Sequence, residues 1–294
     1  MPRWPSGWPG TELDRLIATA LAEDIGSGDV TSLAVVPEGA QAEAVLLAKQ
    51  AGVIAGLPVA AAVFAAVDPD LRWQGLASDG VSVTEIPHPL AQVRGSARSI
   101  LAAERLALNF VQQLSGVATL TARVVAAAGP GIEVLDTRKT TPGLRWLERY
   151  AVRMGGGRNH RFGLSDGVLI KDNHVRAAGG VGEAVHQAKQ RAPFGLRIEV
   201  ECTTLTEVEQ AVEAGAEIIL LDNMPPGILQ RAVQRIGGRA RTEASGGITL
   251  ENIAAVAATG VQAVSLGALT HSAPALDISL EITGLGEPGG AHQL

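Results

Sequence analysis

The sequence is poor in cysteine, in aromatic residues and in positive charge. Its 294 residues include one cysteine, Cys202, which excludes an internal disulfide framework and a cysteine-based metal cluster and fits a reducing compartment. Lys and Arg number 24 against 30 Asp and Glu, so the net charge is −6. This balance argues against general binding to nucleic acids or anionic membranes. An anionic ligand would need a local cluster of basic residues.

Long apolar segments are also missing. Two stretches without Asp, Glu, Lys or Arg, residues 50–67 and 252–276, are mainly alanine interrupted by glycine, proline and polar residues, so we predict packed helices and strands there rather than membrane spans. Residues 1–10, MPRWPSGWPG, have proline and glycine where a signal peptide needs an apolar run. We therefore expect a frayed end there and a cytoplasmic protein. A hydrophobic content of 46% supports a folded chain with a substantial core.

The first third of the chain contains both helix and strand patterns. Residues 11–23 begin with a Thr-x-x-Asp capping pattern and carry apolar residues on one helical stripe. Short apolar runs in residues 41–89 surround an alanine-rich helical segment at 58–67, which predicts a small mixed sheet with helices. Residues 95–115 then form an amphipathic pattern that predicts a long helix.

The rest of the chain alternates between strand and helix patterns. Helical patterns separate most of the apolar runs, and the last four runs end 21 to 23 residues apart, at Glu201, Asp222, Ser245 and Gly267, about the length of one strand plus one helix. Right-handed crossovers wind such units into a parallel sheet, and their even spacing favours a barrel. We therefore expect the residues at the run ends to share one edge. They are Arg138, Lys139, Lys171, Glu201, Asp222, Ser245 and Gly267.

A basic segment lies within this region. Residues 136–172 contain eight Lys or Arg and four acids, inside a chain that is acidic as a whole. Several of these bases are expected to be ordinary solvated residues. The segments DTRKTTPG (136–143) and GGGRNHR (155–161) differ, because they place basic residues in loops where glycine or proline allows the backbone to approach a ligand. They indicate an anion site.

Two carboxylates, Glu201 and Asp222, end successive apolar runs and need partners there. They could pair with the basic residues, or they could together hold Mg²⁺, which prefers carboxylates and phosphate oxygens. The segments EASGGIT (243–249) and SLGALT (265–270) end the last two runs with small residues, a pattern typical of phosphate-binding loops in barrels.

Three further residues have open interpretations. Arg105 lies close to an apolar helix face, so it either extends to solvent or an acid, or reaches a ligand across an interface. His160 could donate to a carboxylate or act as an acid. His174 could do likewise, or could hold Lys171 or a loop in place. A phosphorylated, metal-bridged sugar and a second small anion would suit these residues together, which describes phosphoribosyl transfer.

Several long motifs resemble one known family. DTRKTTPGLR (136–145) and GGGRNHR are highly specific, and EDIGSGDVTS (23–32), LLDN (220–223), EASGGI and SLGALTH agree with them. Across residues 13–280 the chain resembles the quinolinate phosphoribosyltransferases, also called carboxylating nicotinate-nucleotide pyrophosphorylases. The resemblance implies that quinolinate and 5-phosphoribosyl 1-diphosphate (PRPP) give nicotinate mononucleotide, pyrophosphate and CO₂, a step of NAD biosynthesis.

The resemblance also implies a fold of the α/β class. It predicts an incomplete, TIM-like α/β barrel in residues 116–270 and a smaller open-faced α/β sandwich in residues 1–115. The C-terminal segment 271–294 is expected to join the sandwich domain. It further implies a homodimer in which one subunit closes the active site of the other, with no nucleic-acid or membrane partner.

The resemblance assigns roles to particular residues. Lys139, Lys171, Glu201 and Asp222 would be catalytic. Quinolinate would be bound by Arg105 of the second subunit and by Thr137, Arg138, His160, Arg161 and Lys171. PRPP would be bound by Lys139, Glu201, Asp222, Asn223, Ser245, Gly246, Gly247, Gly267 and Ala268. Glu201 and Asp222 would hold its Mg²⁺, directly or through water, and no organic cofactor is expected.

Three alternatives remain at this point. A relative with the same fold could accept another base, and turnover without CO₂ release would indicate it. A Schiff-base enzyme would use Lys171 as a nucleophile, which borohydride trapping would reveal. A catalytically silent binding dimer would bind ligand without turnover.

Overall fold

The computed structural model describes residues 7–286. The frayed end predicted for residues 1–10 falls mostly outside this range, as do residues 287–294 of the predicted segment 271–294.

The described helices are α1 (Gly10–Ile25), α2 (Val30–Val35), α3 (Leu57–Val67), α4 (Ala97–Ala128), α5 (Arg145–Met154), α6 (Asp172–Ala178), α7 (Val181–Arg191), α8 (Leu205–Glu213), α9 (Pro226–Ile236), α10 (Ile253–Ala257) and α11 (Ala268–His271). The described strands are β1 (Gln41–Ala48), β2 (Gly52–Val53), β3 (Arg72–Gly75), β4 (Ser82–Val83), β5 (His88–Ser96), β6 (Glu133–Leu135), β7 (Val168–Ile170), β8 (Ile198–Cys202), β9 (Ile218–Asp222), β10 (Arg241–Ser245), β11 (Ala263–Ser265) and β12 (Ile278–Gly286).

These elements form two compact units. Among the described residues, the first unit contains 7–119, 146–155 and 273–286, and the second contains 120–145 and 156–272. The domain boundaries predicted from the resemblance stay a prediction. The unit boundary falls inside α4, and α5 belongs to the first unit although it lies within the predicted segment 116–270.

The first unit is built on a four-stranded sheet in the order β12-β1-β5-β3. Its pairings among the described strands are all antiparallel, as is that of the separate pair β2 and β4, so the predicted mixed sheet is wrong. Alternate residues of β1 are buried, Ala42, Ala44, Leu46 and Ala48, which is the pattern of a strand with one face in the core. The prediction could not foresee that the distant segment β12 pairs with β1.

Helix α1 covers the predicted segment 11–23, but the predicted cap is wrong. The helix begins at Gly10 after Pro9, and no side chain caps its first turn at that position. Thr11 therefore lies inside the helix rather than before it. Leu13 and Ile17 are its buried residues, as the apolar stripe predicts.

Helix α4 is longer than the predicted helix at 95–115. It continues through Gly116, a residue type that commonly ends helices. Here the glycine allows close packing instead, because a Cβ atom at this position would lie 2.1 Å from the carbonyl oxygen of Pro274. The apolar pattern then continues to Ala128 and extends the helix.

Aromatic contacts place α5 in the first unit. Trp146 and Tyr150 each lie with their ring centroid 4.6 Å from that of Trp8. The Tyr150 hydroxyl donates a 2.8 Å hydrogen bond to Asp79, whose other hydrogen bonds come from the backbone N–H groups of Gly56 and Leu57. These contacts join segments far apart in sequence, which explains why local patterns do not reveal them.

The second unit contains the predicted βα array. Six parallel strands follow the order β6-β11-β10-β9-β8-β7, with helices between most of them along the chain. The charge-poor stretches 50–67 and 252–276 form β2 and α3 in the first unit and α10, β11 and α11 in the second, as predicted. No described helix is both long and apolar enough to cross a membrane.

Candidate active site

Alternate residues of each strand point to the same face of the six-stranded sheet. In β8, Glu199 and Glu201 share one face, and the buried residues Ile198, Val200 and Cys202 share the other. Burial raises the pKa of the Cys202 thiol to about 12, which favours an inert packing role.

Four of the predicted residues lie at the carboxyl ends of their strands. Lys171 directly follows β7, Glu201 is the second-last residue of β8, and Asp222 and Ser245 end β9 and β10. Because the strands are parallel, these ends share one edge of the sheet, which we call the carboxyl edge. Asp222 and Ser245 are paired in the register of adjacent strands.

Three other residues lie beyond their strands. Strand β6 ends at Leu135 and β11 ends at Ser265, so Arg138, Lys139 and Gly267 belong to the following loops. The prediction that they end strands is wrong by a few residues, because strand pairing ends before the chain reaches these residues. The loops still leave from the carboxyl edge.

The segment 156–161 runs beside β6. Arg158 forms an isolated parallel bridge with Leu135, its N–H donates to the Val134 carbonyl, and its carbonyl accepts from the Asp136 N–H. Asp136 is fully buried and accepts a 2.8 Å hydrogen bond from the His160 N–H. It also accepts from the side-chain amide of Asn159. This pairing fixes the loop that carries His160 and Arg161.

His160, Glu199 and Glu243 form a buried His–Glu cluster. The ring Nε2 of His160 lies 3.1 Å from a carboxylate oxygen of Glu199 and 3.5 Å from one of Glu243. The ring Nδ1 accepts a 2.8 Å hydrogen bond from the Arg161 N–H. The Glu199 and Glu243 side chains are only 5% and 3% exposed. Three ionisable groups therefore share a small volume with little solvent.

The cluster retains protons more strongly than isolated side chains would. Burial alone would lower the pKa of His160, but the hydrogen bonds and charges of Glu199 and Glu243 outweigh it and raise the pKa to about 10. Burial raises the pKa of Glu199 as well, and the charge of Glu243 adds to this effect. The bond from the Arg161 N–H requires an unprotonated Nδ1, so in this geometry the ring carries its proton on Nε2, and the additional proton belongs to the cluster as a whole.

Arg138 and Arg161 lie close enough to influence each other. Burial lowers the pKa of Arg161, and the charge of Arg138 lowers it further. The Arg161 guanidinium donates to the Gly167 carbonyl at 3.2 Å. Arg138 is exposed, and the hydroxyl of the neighbouring Thr137 accepts from the Lys139 N–H at 3.1 Å. Two adjacent guanidinium groups make this end of the unit attractive to an anion.

Lys139 crosses directly over Gly267. A Cβ atom at Gly267 would lie 2.7 Å from Cδ of Lys139, so glycine is what allows the close approach. The Thr270 hydroxyl donates a 2.7 Å hydrogen bond to the Lys139 carbonyl. Gly267 precedes the short helix α11, whose first residue is Ala268. The loop after β6 is thus fastened to the loop after β11.

Lys171 and Glu201 form a contact across the carboxyl edge. The ammonium group of Lys171 donates to Glu201 at 3.3 Å. The backbone N–H of Lys171 donates to Nδ1 of His174 at 2.9 Å. Of the roles left open for His174, the structure agrees with holding the Lys171 loop. Glu201 is thereby paired with a base, whereas Asp222 forms no ion pair within residues 7–286.

The loops after β9 and β10 meet beside Asp222. Asn223 has a left-handed backbone (φ 52°), and its N–H donates to the Ser245 carbonyl at 2.9 Å. A Cβ atom at Gly246 would lie 2.3 Å from the Asn223 side chain. Ser245, Gly246 and Gly247 line one side of a cavity of about 300 Å³ together with residues of α9 and α10. Small residues and exposed N–H groups here suit a phosphate.

Comparisons with known proteins agree with this arrangement. Residues 29–115 and 117–281 match the models for the N-terminal and C-terminal domains of quinolinate phosphoribosyl transferase. A probable carboxylating nicotinate-nucleotide pyrophosphorylase from Bacillus subtilis is 43% identical over 273 residues, which are 92% of this chain and 94% of that protein. A decarboxylating quinolinate phosphoribosyltransferase from Nicotiana tabacum is 44% identical over 95% of this chain and 84% of its own length.

Solved structures show the same fold. NadC from Streptococcus pyogenes superimposes with a TM-score of 0.90 at 43% identity and covers 96% of this chain and 99% of its own. The nicotinate-nucleotide pyrophosphorylase from Francisella tularensis also has a TM-score of 0.90, at 40% identity, over 94% of this chain and 98% of its own.

The chain belongs to the quinolinate phosphoribosyltransferase family. Its predicted family, its α/β fold with an incomplete barrel, and its decarboxylating phosphoribosyl transfer are thereby confirmed. The enzyme is a pentosyltransferase of NAD biosynthesis.

The donor set at the carboxyl edge of this phosphoribosyltransferase fits Mg²⁺. Glu201 and Asp222 supply carboxylate oxygens from neighbouring strands, and such ions prefer one or two carboxylates together with phosphate oxygens. Asp222 accepts a 2.6 Å hydrogen bond from the Asn223 side-chain amide, and its negative charge is not neutralised by an ion pair within residues 7–286. A cation held there would share Glu201 with Lys171.

Arg105 lies in the first unit, apart in sequence from the other predicted ligands of this quinolinate phosphoribosyltransferase. It is an exposed residue of α4, and its guanidinium has no hydrogen-bond or ion-pair partner within the described part of the chain. Its exposed position agrees with an arginine that extends into solvent, and it leaves the guanidinium available to a ligand of another subunit.

Sequence reasoning missed three residues of this phosphoribosyltransferase site, Asp136, Glu199 and Glu243. The sequence patterns assign none of these three side chains a role of its own. A signal was present for the two glutamates, because each stands two positions before a residue of the carboxyl edge and so shares its face of the strand. Asp136 gives no comparable signal, since its partners come from the segment 156–161.

Proposed function

We propose that this chain transfers the phosphoribosyl group of PRPP to the ring nitrogen of quinolinate at the carboxyl edge, with release of pyrophosphate and CO₂. The observation that carries the proposal is the combination of two adjacent arginines, an acidic pair and a glycine loop at one edge of a sheet whose family performs this reaction. The site thereby offers separate groups for a dicarboxylate and a diphosphate.

Quinolinate is expected to bind in the basic loops. Its two carboxylates need fixed donors, and guanidinium groups provide paired, charged hydrogen bonds. Arg138 and Arg161 are proposed as the main donors, with Lys171 and Thr137 beside them. His160 is proposed to contribute through its position in the same loop.

PRPP is expected to occupy the remaining loops. Lys139 would neutralise the diphosphate, and Ser245, Gly246 and Gly247 would donate to the ribose 5-phosphate with Gly267 and Ala268 nearby. Glu201, Asp222 and Asn223 would face the ribose. Mg²⁺, when bound through Glu201 and Asp222, would neutralise the leaving diphosphate.

The chemistry then needs little acid or base from the protein. As the bond from the anomeric carbon to the diphosphate oxygen stretches, positive charge develops on the ribose, and Glu201 and Asp222 are suited to stabilise it. The ring nitrogen forms the new bond to that carbon and becomes cationic. The neighbouring carboxylate leaves as CO₂, its electron pair stays on the ring carbon next to the cationic nitrogen, and that carbon takes up a proton. The chain's main contribution is to hold two polyanions together.

A homodimer with a shared site and a cytoplasmic location complete the proposal. An exposed Arg105 that has no hydrogen-bond or ion-pair partner among residues 7–286 supports an arginine supplied to the second subunit. A single buried cysteine is compatible with a reducing compartment.

The deciding experiment incubates the purified chain with carboxyl-labelled quinolinate, PRPP and Mg²⁺. Stoichiometric CO₂ and nicotinate mononucleotide are expected. Omission of PRPP is the control for spontaneous decarboxylation. Turnover of nicotinate without CO₂, and none of quinolinate, would overturn the proposal.

A further inference from the structure

Both ring nitrogens of His160 already have partners within the chain. Nδ1 accepts from the Arg161 N–H at 2.8 Å, and Nε2 faces Glu199 at 3.1 Å and Glu243 at 3.5 Å. The His160 N–H is also used, because it donates to Asp136. A ring held in this way has no nitrogen left over for a ligand. Among the residues that the ring contacts, Arg161 is the one proposed to bind quinolinate, so the influence of His160 on this ligand would pass through Arg161.

Glu199 and Glu243 are costly residues for packing alone. Two buried carboxylates repel each other, and apolar residues of similar size would fill the same space at lower cost. One oxygen of Glu243 has no hydrogen-bond partner among the described residues, so the network is not optimised for stability. Such a compromise is expected where side chains serve a ligand site.

The charges around the cluster point toward Arg161. Glu199 of β8 and Glu243 of β10 face the His160 ring, and Asp136, directly after β6, accepts from the His160 backbone N–H. The charge of Glu199 also acts on Arg161. The side chain of Arg161 is held further by the Gly167 carbonyl. The cluster therefore contacts the backbone of this arginine through His160, while the charge of Glu199 attracts its guanidinium.

We infer that Glu199 and Glu243 are positioning residues for the dicarboxylate substrate, which act by orienting the His160 ring and, through it, Arg161. The inference rests on the proposed function, since it names residues behind the proposed quinolinate site. In this arrangement the two glutamates never touch substrate. They determine how well Arg161 is aligned before quinolinate arrives.

The same three side chains have the composition of a metal site, and their ligand atoms all lie within 4.8 Å of one another. The observed contacts favour a shared proton instead. Nε2 already points at the carboxylates at hydrogen-bond distance, and a further cation would be repelled by Arg161. Metal content is nevertheless included in the test.

The test compares the steady-state kinetics of Glu199→Gln, Glu243→Gln and His160→Asn with those of the unaltered chain. Glutamine keeps the size of the side chain but removes the charge that orients the ring. KM for quinolinate is expected to rise about tenfold or more, the loss typical of a hydrogen bond to a charged group, whereas KM for PRPP changes less than about twofold. A purely structural role would not separate the two substrates.

Glu133→Gln is the matched control. Glu133 is another glutamate of the six-stranded sheet, and it pairs with Arg158 and Arg241 rather than with His160. Its quinolinate KM should stay near that of the unaltered chain. Equal changes in Glu133→Gln and Glu199→Gln would overturn the inference.

A double variant tests the route of the effect. If Glu199 acts through His160, adding Glu199→Gln to His160→Asn should leave KM for quinolinate nearly unchanged, because the intermediary is already gone. If the KM increase of the double variant equals the product of the increases of the two single variants, the inference is overturned. A stoichiometric transition metal that is retained by the unaltered chain and lost from Glu243→Gln would also overturn it. If Glu199→Gln does not fold, the pair Glu243→Gln and His160→Asn provides the same cycle.

Failure of the proposed function would look different. In that case the unaltered chain would not convert quinolinate, and the loss would not depend on the variants. Calorimetric binding of quinolinate without PRPP is therefore measured in parallel for every variant. Weaker binding confined to the cluster variants supports the inference, and equal binding in all of them overturns it.

Discussion

Arg138 and Arg161 are like charges held near each other, an unfavourable arrangement that an anion between them would relieve. Arg161→Gln or Arg138→Gln removes one charged donor from the proposed dicarboxylate site. We expect kcat/KM for quinolinate to fall at least about a hundredfold, since each residue would make more than one charged hydrogen bond. Steady-state assays of CO₂ release measure this.

Arg176→Gln is the control for that prediction. Arg176 is 78% exposed on α6 and lies 4.0 Å from Asp172, a surface pair of little energetic consequence. Its variant should retain activity. Near-normal activity in either Arg138→Gln or Arg161→Gln would contradict the assignment.

Two neighbouring glycines make a second residue-level prediction. Gly246 and Gly247 both have positive φ, at 86° and 63°. An alanine is strained at either position by about 1 kcal/mol, but only at Gly246 would its Cβ overlap the Asn223 side chain. Gly246→Ala should therefore lower the free energy of unfolding by about 1 to 3 kcal/mol more than Gly247→Ala. Urea unfolding of both variants measures the difference, and equal losses would argue against the predicted overlap.

At the scale of elements, the packing of α4 requires Gly116, although helix propensity favours alanine at this position. Gly116→Ala favours the helix but places a methyl group against the Pro274 carbonyl. We expect a loss of about 1 to 3 kcal/mol in the free energy of unfolding. Gly182→Ala in α7, where a Cβ meets nothing within 4 Å, should be neutral or stabilising. A stabilised Gly116→Ala in thermal and urea unfolding would contradict the packing described.

The capping box of α8 gives an element-level pH dependence. Burial raises the pKa of Glu207, but the hydrogen bonds from Thr203 and Thr204 together outweigh it and lower the pKa below its usual value of 4.5. A lowered carboxyl pKa stabilises the fold above the unfolded-state pKa, and this contribution is lost as the pH falls through the folded-state value.

Glu207→Gln should therefore be less stable than the unaltered chain at pH 7, and the difference should shrink between about pH 5 and pH 3. Urea unfolding at several pH values measures it. Glu213→Gln, at the other end of the same helix, is the comparison. A difference that grows on acidification would contradict the sign.

Local patterns predicted most elements because strand and helix periods are local properties. The apolar runs located β6 to β11, and their charged ends located Lys171, Glu201 and Asp222 to within a residue. The end of α4 was missed because the reason for Gly116 is the carbonyl of Pro274, 158 positions later in the sequence. The place of α5 was missed for the same reason, since its aromatic residues contact Trp8. Such choices depend on tertiary contacts.

At the scale of the whole molecule, the shared active site is the open prediction. Arg105→Gln and Arg161→Gln should each be nearly inactive. If one subunit supplies Arg105 to the other, dissociating and mixing the two variants creates heterodimers with one intact site and one doubly altered site. Random reassembly should then restore about a quarter of the normal activity. Assays before and after mixing measure this. If a confirmed heterodimer recovers no activity, Arg105 does not serve the active site of the other subunit.

The two-residue period of β8 and β10 restricts how the chain can change in length. One inserted or deleted residue before Glu199 would move both glutamates of β8 to the opposite face of the sheet, and Ile198, Val200 or Cys202 would take their place on the face of the His–Glu cluster. Gaps in related chains should therefore fall in the connections before and after these strands, whereas a replacement leaves the register of the strand unchanged.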